Sequence, residues 1–375
     1  MKICLIDFGF YAPHCVLTPL YEYSQILSGK GHDVAVYVRH HKDNLPGSAN
    51  CKVIDVCGDF LFRKLTHIIF LLKMIRILGE ERFDIVHVFN FPGVSLLPIF
   101  CRKQHKKWIL DIQSVTKEGG LKGFLYDNLA VMESAFFDVI NVLNARMKDK
   151  LFKGKLAEKV RVIPLGVNIK RFRYARTDRS VWEQFPVGKK DLILVYVGKL
   201  DKIRRLENII EAFKIVIAEH RDKNIKLFFI GGSKKDIERL SKKADPEIIK
   251  NKIFFLGAVS YEKIPSFLKS ADVGLAYIPK TSSYNIQPPL KTIEYLAAGL
   301  PVVATDTDAH LDILQDGVNA VIASDSAEDF AKGMSRILED DRLRSQIKNN
   351  AFMSVLNYDW GILTENLYKI CYLGE

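Results

Sequence analysis

The sequence predicts an α/β protein of two domains, each a parallel sheet with helices on both faces, and three observations predict it. Short apolar, β-branched runs alternate with helix-like segments from one end of the chain to the other. The runs fall into two groups, separated by Arg173–Asp191 (RYARTDRSVWEQFPVGKKD), a stretch of weak periodicity and mixed charge. At 375 residues and 48% hydrophobic content, the chain is long enough for two cores and oversized for one.

Taken in order, the strand-like runs of the first half are KICLID, DVAVYV, KVIDV, DIVHVF, WILDI, VINVL and VRVIP. Those of the second half are LILVYVG, IKLFFIGG, KIFFLG, VGLAYIP and PVVAT. A boundary near residue 180 gives a first domain over 1–180 and a second over 181–355. Residues 356–375 form a closing helix, with Ile362, Leu363, Leu367 and Ile370 at helical spacing. Ligands of such sheets sit at the carboxyl ends of the strands, so two facing edges make a cleft.

Charged residues at 26% and evenly spread apolar runs argue against a disordered or fibrous chain. The six cysteines, Cys4, Cys15, Cys51, Cys57, Cys101 and Cys371, are scattered without CxxC or zinc-finger spacing, and read as reduced packing residues. The opening MKICLIDFGF turns polar too soon for a signal peptide, and no uncharged apolar run is long enough to span a bilayer. A cytoplasmic protein is expected. The net charge of +11 favours a polyanionic partner: phosphates, an anionic membrane face or nucleic acid. No nucleic-acid-binding motif accompanies the charge, so nucleic acid is not expected. No GxGxxG follows the first strand, which counts against a nicotinamide dehydrogenase.

The most informative stretch is PPLKTIEYLAAGLPVVATD, residues 288–306, a proline entry, a short helix, a glycine stop and a buried strand. With Pro289 at the first helical position, the free N–H groups of the first turn and the helix dipole make an anion site. The preceding loop, 281–285, is polar and small enough to admit a diphosphate. Glu294 shares a helix side with Leu290 and Lys291 by three- and four-residue spacing, and its carboxylate can accept both hydroxyls of a ribose. The alternative reading makes Lys291 a solvated charge and Glu294 a simple complement to the helix dipole. A second cluster follows LILVYVG: Gly198, Lys199, Leu200, then Arg204 and Arg205, cations at a strand end that suit a diphosphate leaving group. Its alternative is a helix start salt-bridged to Glu207.

Here a resemblance becomes specific. Gly198-Lys199-Leu200 with Arg204 resembles the Gly-Arg-Leu and following Lys of glycosyltransferase family 4, the group 1 glycosyltransferases. GKGHDVAVY, FDIVHVF, VRVIPLGVNIKRF, FFLGAVSYEKIPSFLKSADVGL, EYLAAGLPVVATD and DGVNAVI resemble other pieces of that family in the same order, over nearly the whole chain. The resemblance implies the GT-B fold, two facing Rossmann-like domains with the C-terminal helix crossing back to the first. It also implies a retaining, hexosyltransferase-like enzyme with no metal or other cofactor. By motif, Lys199 and Arg204 would hold the donor diphosphate and carry the catalytic burden, and Glu294 would hold the ribose, with Pro289, Leu290 and Lys291 beside it. Gly231 and Gly232 resemble the strand-end glycines near the nucleotide, and Phe255 to Val259 would border the base. The glycine of the Gly9-Phe10-Tyr11 loop would approach donor and acceptor. Asp111, with Gln113 and Ser114, stands where the family has a polar group near the reacting sugar. A plain turn for the glycines and a structural role for Asp111 are the alternatives.

One departure stands out: the family's first motif glutamate would fall at 286, where this chain has Ile286, followed by Gln287. Some relatives with a Pro-x-Lys-x-x-Glu-Tyr pattern, which Pro289 to Tyr295 resembles, lack it too. The family's route is front-face attack, in which the leaving diphosphate accepts the proton of the acceptor hydroxyl. The implied partners are a UDP- or GDP-linked sugar donor and a glycan or lipid-linked acceptor in cell-surface glycoconjugate synthesis. Residues 63–78, with four basic and no acidic side chains among large apolar ones, suggest peripheral contact with the inner face of the cytoplasmic membrane; packing against the sheet is the alternative. The basic run 102–107 adds a second positive patch. Two other functions fit the resemblance less well: a non-catalytic sugar-nucleotide-binding partner, because of Ile286, and a nucleotide-sugar epimerase of the same fold.

Overall fold

The computed structural model describes residues 1–11, 18–41, 51–57, 65–115 and 121–375. Cys15 and the first two residues of 63–78 lie outside that set. The chain divides into two compact units, Met1–Gly166 with Trp360–Glu375, and Val167–Asp359.

In the first unit, seven parallel strands form one sheet: β1 (Lys2–Tyr11), β2 (Asp33–His41), β3 (Lys52–Asp55), β4 (Ile85–Phe89), β5 (Lys107–Ile112), β6 (Val139–Val142) and β7 (Val160–Val162). Their order is β3-β2-β1-β4-β5-β6-β7. The central strands are continuous apolar runs because helices cover both faces; every residue of β4 is buried. Helix α1 (Thr18–Gly29) carries the chain from β1 to β2, while α2 (Thr66–Glu80), α3 (Leu96–Cys101) and α4 (Leu121–Ser134) connect β3 to β4, β4 to β5 and β5 to β6. Right-handed crossovers put α1 on one face and α2 to α4 on the other, because the strand order reverses at β1.

The closing segment belongs to this unit, as expected of a helix that returns to the first domain. Trp360–Asn366 is α-helical and continues as a wider π-helical stretch, Leu367–Leu373. The stripe it buries is Trp360, Leu363, Leu367 and Cys371, and Ile362 is exposed. Leu363 and Leu367 fall on the expected stripe; the wider π turn moves its next position from Ile370 to Cys371, whereas Ile362, in the α-helical part, lies off the buried face. Trp360 packs edge-on to Tyr23 of α1 and lies so close to Gly166 that a Cβ there would sit 2.6 Å from its ring.

The second unit is a six-stranded parallel sheet of β8 (Leu192–Val197), β9 (Ile225–Ile230), β10 (Ile253–Gly257), β11 (Val273–Ala276), β12 (Val302–Thr305) and β13 (Val321–Ala323), in the order β10-β9-β8-β11-β12-β13. Strand β13 was not anticipated, being only three residues long. The unit begins at Val167, ahead of the boundary near 180, and the segment Arg173–Asp191 is not a free linker. Trp182 is buried between Phe228 and Phe267, and its indole N–H donates to the Ser270 carbonyl at 3.1 Å. A single buried indole packs the segment against β9 without any periodicity to announce it.

Among the described residues no helix is long and apolar enough to cross a membrane. Cys4, Cys57, Cys101 and Cys371 are buried thiols and Cys51 is half-buried, none in a disulfide, as packing residues would be.

Candidate functional site

The carboxyl ends of β8, β9 and β10 meet in a set of close backbone contacts. Gly198 leaves β8 at φ 143°, and Gly231 and Gly232 leave β9 at φ 118° and 81°. Gly198 donates its N–H to the Ile230 carbonyl at 2.9 Å, and Gly231 donates to the Gly257 carbonyl at 2.7 Å. A Cβ on Gly231 would stand 2.2 Å from the Gly198 oxygen, so this is more than a turn; the backbones approach too closely for any side chain. Gly231→Ala is therefore expected to cost about 3 kcal/mol of stability. Gly232→Ala, whose Cβ would first meet the Leu200 side chain rather than backbone, should cost less. Denaturant midpoints of the two variants test the order.

Three cations gather beside these glycines. Lys199 is exposed directly after Gly198, its carbonyl accepting from the Tyr196 hydroxyl at 3.2 Å. Arg204 ends the 3₁₀ turn Lys202–Arg204 and lays its guanidinium over the Tyr284 ring at 4.7 Å, with a buried Nε that finds no hydrogen-bond partner. Its expected alternative partner, Glu207, is taken instead by Arg239. Lys291 is not a solvated charge: its Nζ is buried 3.7 Å from the centre of the Tyr196 ring and has no hydrogen-bond partner. Burial, and then Arg204, push its pKa well below the ordinary lysine value, against the pull of Glu294 and Asp201. Partnerless buried donors at a strand edge are costly unless an anion completes them.

Glu294 lies one turn on from Lys291 in the helix Leu290–Ala297 and is only 5% exposed. Tyr261 donates its hydroxyl to Glu294 Oε1 at 2.7 Å. Burial pushes the Glu294 carboxyl up to about 7, although Tyr261, Lys291 and Arg171 oppose the change. Pro289 is the last extended residue before the helix, which starts at Leu290, one position later than expected; its carbonyl accepts from Thr292 N–H at 3.1 Å. Val259 is half-buried against the core of this unit, and Phe255 stacks on Phe229 at 5.0 Å. The expected base-side stretch thus continues from the strand that receives the Gly231 N–H. Ile286 and Gln287 are half-buried in the approach to the helix. Tyr284, in the loop read as small, is a buried ring beneath Arg204.

His310 fixes the same helix from below. Fully buried, it donates from Nδ1 to the Thr305 carbonyl at 2.7 Å and meets the Thr292 hydroxyl at 2.9 Å from Nε2. Burial lowers its pKa from 6.5 to about 4. The folded state keeps the ring neutral while the unfolded chain protonates it, so its stabilisation is full above 6.5 and is lost as the pH falls through about 4. The stability difference between wild type and His310→Asn should shrink by about 3 kcal/mol over that window. Urea titrations at stepped pH measure it.

The polar residues expected in the first unit are arranged differently. Asp111 is fully buried, with one oxygen 3.1 Å from His87 Nε2 and the other accepting from Gln113 Nε2. Tyr372 of the closing segment holds His87 Nδ1 at 2.9 Å. Asp111 is therefore a structural anchor rather than a group open to a sugar. Gly9 is not in a loop: β1 runs on to Tyr11, with an irregularity in its pairing between Asp7 and Phe10, and Gly9 N–H donates to the Asp7 carboxylate. Burial, followed by Asp111, raises Asp7 to about 7, with the Gly9 N–H opposing. Residues 63–78 are buried in part, through Phe70, Leu71, Met74 and Leu78 of α2. Sequence reasoning missed His87, Tyr261 and Tyr196, each inside a run read only for its strand or family pattern. Among the described residues no three His, Cys, Asp or Glu side chains form a metal-holding group.

Two family models match the chain: "Glycosyl transferases group 1" over residues 180–353 and "Glycosyltransferase Family 4" over 19–171. An uncharacterized glycosyltransferase of Methanocaldococcus jannaschii is 27% identical over 324 residues, 80% of this chain and 78% of its own length. The phosphatidyl-myo-inositol mannosyltransferase of Mycolicibacterium smegmatis is 23% identical over 401 residues, 99% of this chain and 93% of its own. The crystal structure of Anabaena HepE in complex with UDP and glucose matches with a TM-score of 0.81 at 16% identity, covering 99% of both chains.

Proposed function

The chain belongs to the group 1 glycosyltransferases of family 4, enzymes of GT-B fold, and on that premise we propose that it transfers a sugar, with retention, from a UDP- or GDP-linked donor to a glycan or lipid-linked acceptor. The observation that carries the donor class is the edge of the second unit, where two buried, partnerless cationic groups, Arg204 Nε and Lys291 Nζ, stand beside tightly approaching glycine backbones. A diphosphate supplies the charge and acceptors that they lack. Glu294 takes the ribose hydroxyls, and Leu290 and Lys291 offer N–H groups of the helix start to the phosphates.

Retention follows from front-face attack. As the bond from the anomeric carbon to the diphosphate oxygen breaks, the acceptor oxygen bonds to that carbon on the same face, and its proton passes to the departing oxygen. Lys199, Arg204 and Lys291 neutralise the charge that develops there, the task a metal ion performs in other transferases, so the reaction needs none added. The match to HepE, solved with UDP and glucose, supports a nucleoside diphosphate sugar, and the match to a mannosyltransferase named for phosphatidyl-myo-inositol supports a lipid-linked acceptor. The enzyme works in cell-surface glycoconjugate synthesis at the inner face of the cytoplasmic membrane, with peripheral contact through 63–78.

The test is release of UDP or GDP from a panel of UDP- and GDP-linked hexoses, with and without EDTA. Chelator-resistant release of one nucleotide supports the reading; release that needs a divalent cation, or none from any donor, removes it.

A further inference from the structure

Helix α4 is inside out. Its buried positions are small or polar, Gly123, Ala130, Glu133 and Ser134, with Ser95 donating to Glu133 at 2.9 Å. Its large apolar side chains point the other way: Leu121 is 74% exposed, Phe124 65%, Leu125 58% and Met132 70%. An amphipathic helix of a water-soluble surface shows the opposite distribution. The inversion continues on α3, where Ile99 and Phe100 are exposed, and on α2, where Ile68 and Leu72 are exposed opposite the buried stripe. These helices lie side by side on one face of the sheet. Arg102 at the end of α3 bonds the Phe136 carbonyl just beyond α4, and a Cβ on Gly93 would touch Leu71 of α2 and Leu96 of α3.

We propose that the outward face of α3 and α4, flanked by α2, docks on an anionic lipid bilayer. This deepens the peripheral contact stated above, on which it rests, and moves its centre from 63–78 to α4. So large a contiguous apolar face marks an interaction surface. Charge selects the occupant. Arg76, Arg102, Lys103 and Lys106 stand toward the C-terminal ends of α2 and α3, and the carboxylates that pair there are fewer: Glu80 on Arg76, Asp138 on Arg102, Asp84 on Lys106; Lys73, midway along α2, donates to the Val56 carbonyl. An apolar face with a positive rim matches apolar chains beneath anionic headgroups. In a two-fold interface between copies the same rim would oppose itself, which disfavours a second copy as occupant.

The experiment is co-sedimentation with phosphatidylcholine vesicles, with and without a third of phosphatidylglycerol, for three proteins: wild type, Phe124→Ser/Leu125→Ser/Met132→Ser, and Ile68→Ser/Leu72→Ser. Wild type should bind the anionic vesicles, and the α4 triple variant should lose about tenfold in partition while keeping the wild-type rate of nucleotide release. Phe124→Trp in the otherwise native chain should shift its emission to the blue on anionic vesicles, a readout that survives if the triple variant fails to fold. Loss in the α2 variant with an unchanged α4 variant overturns the α4 assignment and leaves the membrane reading standing. No wild-type binding to either vesicle defeats both. A wild-type dimer that the triple variant splits, without vesicle binding, assigns the face to a second copy and overturns the proposal.

Discussion

Arg204→Ala is expected to lower the rate of transfer by about 10²–10³-fold, with a folding stability close to wild type. The guanidinium is held in place before any donor arrives. Arg205 follows in a left-handed conformation at φ 48°, which ends the 3₁₀ turn after one cycle, and the Tyr284 ring supports the side chain at 4.7 Å. A preplaced cation loses little orientation in the transition state, so its removal falls on kcat more than on KM. Lys199→Ala should act in the same direction. Lys199 is exposed and has no such support, so its loss should weigh relatively more on KM. Tyr284→Phe keeps the ring beneath Arg204 and should leave the rate within about threefold, whereas Tyr284→Ala releases the guanidinium and should approach the Arg204→Ala rate. Steady-state release of nucleotide over a range of donor concentrations measures all four. A wild-type kcat in Arg204→Ala would remove Arg204 from the catalytic machinery.

The two sheets are readable in the sequence because their strands are long, β-branched and bounded by glycine, and β8 and β9 announce themselves in this way. Strand β13, three residues long, has no room for a pattern. The domain boundary is obscure because Trp182, one aromatic in a charged stretch, supplies the packing that ties 173–191 to the second unit. At the proposed donor edge, residue types were legible and orientations were not. Helical spacing puts Lys291 and Glu294 on one side of a helix but does not say whether that side meets water or the Tyr196 ring. Nor does local sequence show that Arg239 would occupy Glu207 and so leave Arg204 without that partner. The same limit explains α4: apolar content reads as core in a sequence, and only the burial of Gly123 and Ala130 shows that the helix faces outward. Asp111 was visible as a polar residue in a buried strand, but its ring partner, His87, lies on another strand.

Glu294 gives the second large effect, and its sign depends on pH. A ribose donates two hydroxyls, so the side chain must bind as the carboxylate, yet burial holds its pKa at about 7 in the free protein. Donor affinity should therefore rise with pH through about 7 and level off above it, falling to roughly a tenth of the plateau one pH step below and to roughly a hundredth two steps below. A nucleotide sugar suits the measurement because its diphosphate is esterified at both ends and does not titrate there. Calorimetry with UDP- and GDP-linked donors in Glu294→Gln should show an affinity about 10²-fold below the wild-type plateau with no step. A flat wild-type profile would mean that the ribose does not bind this carboxylate. Folding supplies an independent check with the opposite sign. The raised pKa makes the protonated group the better one to bury, so its stabilisation is full below 4.5 and is lost as the pH rises through about 7, an amount of about 3 kcal/mol. His310 changes by a similar amount in the other direction over an overlapping window and offsets Glu294, which leaves the trend of Asp7, also raised to about 7, so wild-type stability should fall as the pH rises from 4 to 7. Relative to wild type, Glu294→Gln then removes one of the two raised carboxyls and should lose stability on acidification, while His310→Asn removes the opposing histidine and should gain it. Parallel slopes in the two variants would refute this opposed pair.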